Sequence, residues 1–155
     1  MQFMTSKFLK CVSSIEVLLI GLFAALFLVS CSAQQTYREA PRSGQDVAVE
    51  VKSLAPEVPA FFTYHYHGKK INFFVMKVDN RILSFLDACT HCYPAKRGYR
   101  YEGGSIICRE CNVRYSASQL EKGMGSCYPV RIEGSLRDGK YLIPVTLLKG
   151  MADKF

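Results

Sequence analysis

The stretch CTHCYPAKRGYRYEGGSIICREC, from Cys89 to Cys111, carries two Cys-x-x-Cys pairs with fifteen residues between them. A Cys-x-x-Cys turn lets two thiolates converge on one ion while its backbone amides stay free to donate to the sulfurs. Two such turns supply four soft ligands, a set that suits zinc, a single iron or an iron–sulfur cluster. The spacing matches a zinc ribbon well, and it does not choose among those metals because they share the ligand set. Two disulfides are the competing use of the same four thiols in an oxidising compartment. A metal site requires the fold to bring both turns together, so each pair should follow a strand and sit at a hairpin tip.

The flanking sequence reads as a succession of such hairpins. Val47, Val49 and Val51 alternate with Ala48, Glu50 and Lys52, the period of a half-buried strand. Pro56 and Pro59 interrupt the chain. Residues 61–67 (FFTYHYH) and 70–78 (KINFFVMKV) are rich in aromatic and β-branched side chains and flank Gly68. Asp79-Asn80 marks a turn into a returning strand, 81–87. YRYE and SIIC around Gly103-Gly104 make a third hairpin, and PVRIE and KYLIPV around GSLRDG a fourth. Only 146–155 reads as a short helix. The expected fold is an all-β sandwich of hairpins with two Cys-x-x-Cys loops. About a hundred residues bury a modest core, which an internal metal site would reinforce.

The N-terminus reads as an address. Lys7 and Lys10 precede thirteen uncharged apolar residues, Val17 to Val29. That run is short for a bilayer span and fits the apolar region of a signal peptide. It ends in Leu28-Val29-Ser30-Cys31, which resembles a bacterial lipobox and makes Cys31 the expected lipidation site. The expected organisation is a signal peptide over 1–30, a flexible tether over 31–46 and a metal-binding domain over 47–155. The domain would then be extracytoplasmic and held at the membrane by lipid in a bacterial cell envelope. With Cys11 in the signal and Cys31 lipidated, five cysteines remain: Cys89, Cys92, Cys108, Cys111 and Cys127. An odd number cannot pair completely within one chain, and four ligands plus one extra is the simplest partition. Gly123 and Gly125 would let the loop of Cys127 approach closely, as an additional ligand or a thiol beside the metal.

The chain carries a net charge of +7. Its densest basic stretch, Lys96, Arg97, Arg100, Arg109 and Arg114, is interleaved with the cysteines. An exported protein does not meet nucleic acid, so these cations are read as offsetting a negative metal–sulfur centre or as a docking face for an acidic partner. His65 and His67 stand two apart and would share a strand face, a weaker metal candidate. Tyr99, Tyr101 and Tyr115 surround the cysteines, and Tyr115 is the one expected to hydrogen-bond a ligand sulfur. Asp87 reads as a turn residue that caps the ligand loop. No Ser–His–Asp arrangement, acidic pair or phosphate loop stands out, so the chain reads as an electron-transfer or metal-binding protein and not as an enzyme.

Two resemblances add to this. Asp87-Ala88-Cys89, Cys92, Lys96, Gly98-Tyr99, Glu102-Gly103, Cys108, Cys111 and Gly125-Ser126-Cys127-Tyr128-Pro129 resemble, as a set, the FtrD-like membrane iron–sulfur domain family. That resemblance implies an extracytoplasmic iron–sulfur protein linked to bacterial iron transport, with membrane redox or metal-transport proteins as partners. The Cys89-Thr90-His91 and Cys108-to-Tyr115 loops are also similar to those of Rieske proteins. Cys111 stands where those proteins have a histidine, Tyr115 where a cluster-bonding tyrosine falls, and Val113 where a serine is usual. That likeness implies a small Rieske-like sandwich in which Cys92, or else His91, is the fourth ligand, and Cys92 completes the symmetric pair. The leading expectation is an iron–sulfur electron carrier tied to iron uptake. A structural zinc module and a thiol-based metal chaperone are the alternatives.

Overall fold

The structure, a computed structural model, describes residues 35–155, which form one compact unit. Its strands are β1 (Arg38–Glu39), β2 (Arg42–Ser43), β3 (Asp46–Glu50), β4 (Ala60–Tyr66), β5 (Lys69–Val78), β6 (Arg81–Cys89), β7 (Tyr99–Glu102), β8 (Ser105–Cys108), β9 (Arg114–Tyr115), β10 (Pro129–Ile132), β11 (Ser135–Arg137) and β12 (Lys140–Pro144). One short helix, α1 (Val145–Gly150), follows β12, so the domain is all-β but for that turn and a half.

The strands form three sheets, in the orders β1-β4-β5-β6-β10, β11-β12-β3-β2 and β7-β8-β9. The five-stranded sheet is central because both of its faces are apolar. On one face Phe62, Tyr64, Ile71, Phe73 and Leu86 pack against Val49 and Ile143 of the four-stranded sheet and Leu148 of α1. On the other, Phe61, Phe74, Met76, Leu83 and Phe85 pack against Tyr99, Ile106 and Tyr115 of the three-stranded sheet. Alternate side chains of β6 therefore serve two cores, even positions one and odd positions the other. Cys89 falls on the odd face, at the strand's end, and joins the second core.

The tight turns follow their residues. His67-Gly68 closes β4–β5 with φ of 47° and 74°, and Gly103-Gly104 closes β7–β8 with 56° and 75°. Positive φ at both central residues gives the strand twist that two-residue hairpins need, and glycine takes it without strain.

Three expectations are corrected. The fourth hairpin does not form as drawn. β10 pairs antiparallel with β6, while β12 pairs with β3 and with β11 across Asp138-Gly139, another turn with two positive φ values, 49° and 72°. The tight turn lies inside the stretch read as a loop, so the partner of PVRI is distant in sequence. The stretch 35–46, expected as part of a flexible tether, carries β1, parallel to β4, and β2, antiparallel to β3, and buries Ala40. His65 and His67 do not share a strand face, because β4 ends at Tyr66 and His67 begins the turn. His65 instead lies 3.3 Å from the carboxylate of Glu39, and the His67 ring stands edge-on to Tyr66. Neither belongs to a metal-competent group among the described residues.

Candidate metal centre

Both Cys-x-x-Cys turns begin where a strand leaves the second core. Cys89 ends β6 and Cys108 ends β8, and both are buried; Cys92 is half-buried and Cys111 exposed. The first turn continues through a short 3-10 turn at Tyr93–Ala95, and Lys96 at φ 52° swings the chain back to β7. The second is closed by the Asn112 amide donating to the Cys108 carbonyl at 2.9 Å and the Cys108 amide to Val113 at 3.0 Å. The Arg109 amide donates to the Gly98 carbonyl at 2.9 Å, which ties one turn to the other. In each turn the sulfur of the first cysteine accepts amides from the next residues. His91 and Cys92 donate to Cys89, Glu110 and Cys111 donate to Cys108, and Val113 donates to Cys111.

The sulfurs of Cys89, Cys92 and Cys127 lie within 4.8 Å of one another, and so do those of Cys92, Cys108 and Cys111. Cys92 belongs to both triplets. The four thiols of the two turns are thus joined by the fifth, Cys127, through the same corner. Cys127 is held there by its backbone. The carbonyls of Ser126, Cys127 and Tyr128 accept from the Thr90 hydroxyl (2.8 Å), the Tyr115 hydroxyl (2.8 Å) and the Thr90 amide (3.0 Å). Thr90 lies inside the first cysteine turn and Tyr115 follows the second, so both turns clasp this loop. Gly123 is needed at φ 68°, where a Cβ would stand 2.6 Å from that of Tyr128.

Five thiols packed this closely cannot all ionise without a cation. Burial raises the Cys89 and Cys111 thiols, but amides first and then neighbouring hydroxyl and thiol donors outweigh it, and both lie below the usual thiol range. Burial pushes Cys92, Cys108 and Cys127 up, and the neighbouring sulfurs push them further. A bound metal ion would remove that repulsion, which is the linkage that drives protons off clustered cysteines.

The aromatic shell differs from the expected one. Tyr115 donates to the Cys127 carbonyl and not to a sulfur. Tyr99 is the phenol that faces the site. Its hydroxyl is buried with no regular hydrogen-bond partner, yet it lies against the Cys89 sulfur, whose charged form it stabilises. Burial first and that sulfur second raise the Tyr99 pKa. Asp87 is not a turn residue. It lies buried in β6, accepting at 2.6 Å from the Tyr99 amide and at 2.6 Å from the Tyr37 hydroxyl. Gly98 makes room for it, since a Cβ there would stand 2.3 Å from the carboxylate. Tyr37, Thr90 and Tyr99 are the site residues that sequence reasoning missed or misranked. The spacing of Thr90 within the first turn was the signal for one of them, and nothing local marked Tyr37.

His91 is exposed and belongs to neither triplet. The basic stretch is largely paired: Arg97 with Glu110, and Arg100 and Arg114 with Glu102, all on the surface. A cavity of about 40 Å³ beside Cys89, Cys92 and Cys108, bounded by Asp87, Lys96 and Glu110, has room for an ordered water. Cys31 lies outside the described residues. Among the described residues no helix is long and apolar enough to cross a membrane.

The donor set fits an iron–sulfur centre: clustered thiols, amides aimed at sulfurs, and a buried hydroxyl turned toward one ligand. No curated protein and no solved structure matches the chain at a significant level. Residues 54–155, from Leu54 in the connection after β3 to the C-terminal residue Phe155, match the family described as membrane iron-sulfur containing protein, FtrD-like. The chain belongs to that FtrD-like family.

Proposed function

We propose that this chain is a membrane-anchored, extracytoplasmic iron–sulfur protein that passes electrons to or from a membrane metal-transport system, with iron as the transported metal. The observation that carries this reading is the convergence of five cysteine sulfurs, with backbone amides and the Tyr99 hydroxyl turned toward them. Cys89, Cys92, Cys108 and Cys111 would hold the cluster. When bound, the cluster supplies reversible one-electron transfer. The chain's own groups do the rest. The amides of His91, Cys92, Glu110, Cys111 and Val113 spread the negative charge of the sulfurs. The exposed Cys111 turn brings one edge of the site to the surface, where a redox partner can dock.

The protein purified without oxygen tests the assignment. A brown protein with sulfide-to-iron charge-transfer bands and stoichiometric acid-labile sulfide supports it. A colourless protein holding one tightly bound zinc would replace it with the structural zinc module that the spacing of the two pairs also suits. For the anchor, Cys31→Ala should leave the precursor uncleaved or release the domain from the membrane. Normal maturation and fractionation of that variant would remove lipidation from the reading.

A further inference from the structure

We propose that the metal-free chain has a second metal-binding state, a two-ion Cu(I) site built from all five thiols. Cys89, Cys92 and Cys127 hold one ion, Cys92, Cys108 and Cys111 hold the other, and Cys92 bridges them.

The geometry carries the proposal. A single tetrahedral ion needs four sulfurs that are all mutual neighbours, whereas this chain presents two triplets sharing one corner. Three sulfurs in a plane around an ion, at a metal–sulfur distance of about 2.3 Å, stand about 4.0 Å apart. Within each triplet the sulfurs stand no more than 4.8 Å apart, so they need to draw in by less than about an ångström to close on an ion. Soft thiolates select Cu(I) among monovalent ions, and that ion is satisfied by three of them, where Zn(II) takes four. Among the described residues no histidine or carboxylate joins either triplet to raise its ligand number.

Cys127 is in place before any ion arrives. Its neighbours' carbonyls are bonded to Thr90 and its own to Tyr115, so the loop costs little entropy to order on binding. Its clasp uses the backbone only, so the side chain is free to be a ligand. Five thiolates around two monovalent ions leave a negative centre, and the cavity beside Cys89, Cys92 and Cys108 sets Lys96 and Lys154 against Asp87 and Glu110. The site stands apart from the iron–sulfur reading, because it concerns the chain before a cluster is installed and uses a cysteine that the four-cysteine cluster does not need.

The test is an anaerobic titration of the reduced, metal-free full chain in detergent, with Cu(I) supplied as its bathocuproine disulfonate complex and excess chelator present. The expected result is two copper ions retained per chain, each with three sulfurs by X-ray absorption. Cys127→Ser should retain one, as should Cys111→Ser from the other triplet. A Cys108→Ser/Cys111→Ser double variant should still hold one ion with three sulfurs around it, and adding Cys127→Ser should leave at most a two-sulfur site; a four-cysteine site would show two sulfurs in both variants. Retention of a single ion by the unaltered chain, or four sulfurs around it, would overturn the proposal without any variant having to fold. So would two ions retained by Cys127→Ser. Cluster reconstitution on the unaltered chain is a separate measurement, so either reading can fail alone.

Discussion

The two faces of the central sheet are made by alternate residues of the same three strands, yet they end differently. On the even side of β6, Ser84, Leu86 and Ala88 close over a core of aromatic and aliphatic side chains, and the Ser84 hydroxyl is satisfied by Ile132 and Tyr141. On the odd side, Leu83 and Phe85 lead to Asp87 and Cys89, so the core grades into a buried carboxylate and then into sulfur. The first face is complete without help. Each fully buried Phe or Leu there is worth about 1.5–3 kcal/mol against exposure. The second face carries groups whose burial is costly unless something binds them, an unpartnered phenol and a set of mutually repelling thiols. One sheet therefore stabilises the fold on one side and presents a site on the other.

The largest expected effect breaks the second face alone. Cys108→Ser removes a buried sulfur at the end of β8, and the proposed iron–sulfur cluster should be lost outright. Amide exchange should then rise in β7, β8, β9 and the 124–128 loop, while β3 and β12 stay protected. Equal loss of protection in β3 and β12 would show that the two faces are one cooperative unit with no separate metal-dependent layer. The complementary change is Phe73→Ala. Phe73 is fully buried and stacks on Phe62 at 5.5 Å, so the cost should be about 3–5 kcal/mol, with or without metal. A cost that vanishes in the metal-free chain would mean that the closed face also depends on the site.

Much of this comparison was legible in the sequence, where the signals are local. The β4–β5–β6 meander follows from aromatic and β-branched runs broken by Gly68 and Asp79-Asn80. The placing of both cysteine pairs after strands follows from SFLDAC and SIIC. Cys127 was expected near the other cysteines from its leftover status and its glycines, and its sulfur lies within 4.8 Å of those of Cys89 and Cys92. What local signals cannot carry is pairing at long range. PVRI lies against β6, some forty residues upstream, because the edge of the central sheet was open to it. Tyr37 reaches Asp87 across fifty residues from a stretch whose composition reads as tether. Tyr99 and Tyr115 look alike in sequence, and only the placing of β7 and β9 on opposite sides of β8 decides which phenol meets sulfur and which meets a carbonyl.

Asp87 sharpens the contrast through pH. Burial pushes its carboxyl up to about 6, against the bonds from Tyr37 and the Tyr99 amide and the charge of Arg109, which hold it down. In the unfolded chain it titrates at its ordinary value of 3.8. The folded state therefore binds the extra proton between those two values. Stability from this group is full below the unfolded value and is lost as pH rises through about 6. The swing is about 3 kcal/mol, an order-of-magnitude figure. Asp87→Asn keeps the acceptor for the Tyr99 amide and cannot titrate. Denaturant unfolding of both chains, metal-free, from pH 4 to 7 should show the unaltered protein losing stability relative to the variant. A constant difference across that range would mean that Asp87 stays ionised when buried.

The smallest expected effect is the most specific to the sulfur face. Tyr99 packs edge-on against Phe74 at 6.0 Å and Tyr115 at 6.2 Å, and Tyr99→Phe keeps both contacts. In the metal-free chain the substitution removes a buried hydroxyl that lacks a regular partner, so stability should hold or rise slightly. In the iron–sulfur protein the same hydroxyl would favour the more negative, reduced state by its contact with the Cys89 sulfur. All-thiolate ligation should already set the potential low, about −400 mV as in plant-type ferredoxins and below the Rieske range. Losing a hydrogen bond worth about 1 kcal/mol should lower it by a further 40 mV or so for a one-electron couple. Tyr115→Phe is the control. Its hydroxyl serves the Cys127 carbonyl, so its loss should loosen the 124–128 loop and leave the potential much closer to that of the unaltered protein. Voltammetry on the three proteins decides the matter. A larger shift for Tyr115→Phe than for Tyr99→Phe would return the sulfur-bonding role to Tyr115, and an unchanged potential in both would place the hydroxyls outside the redox centre's field.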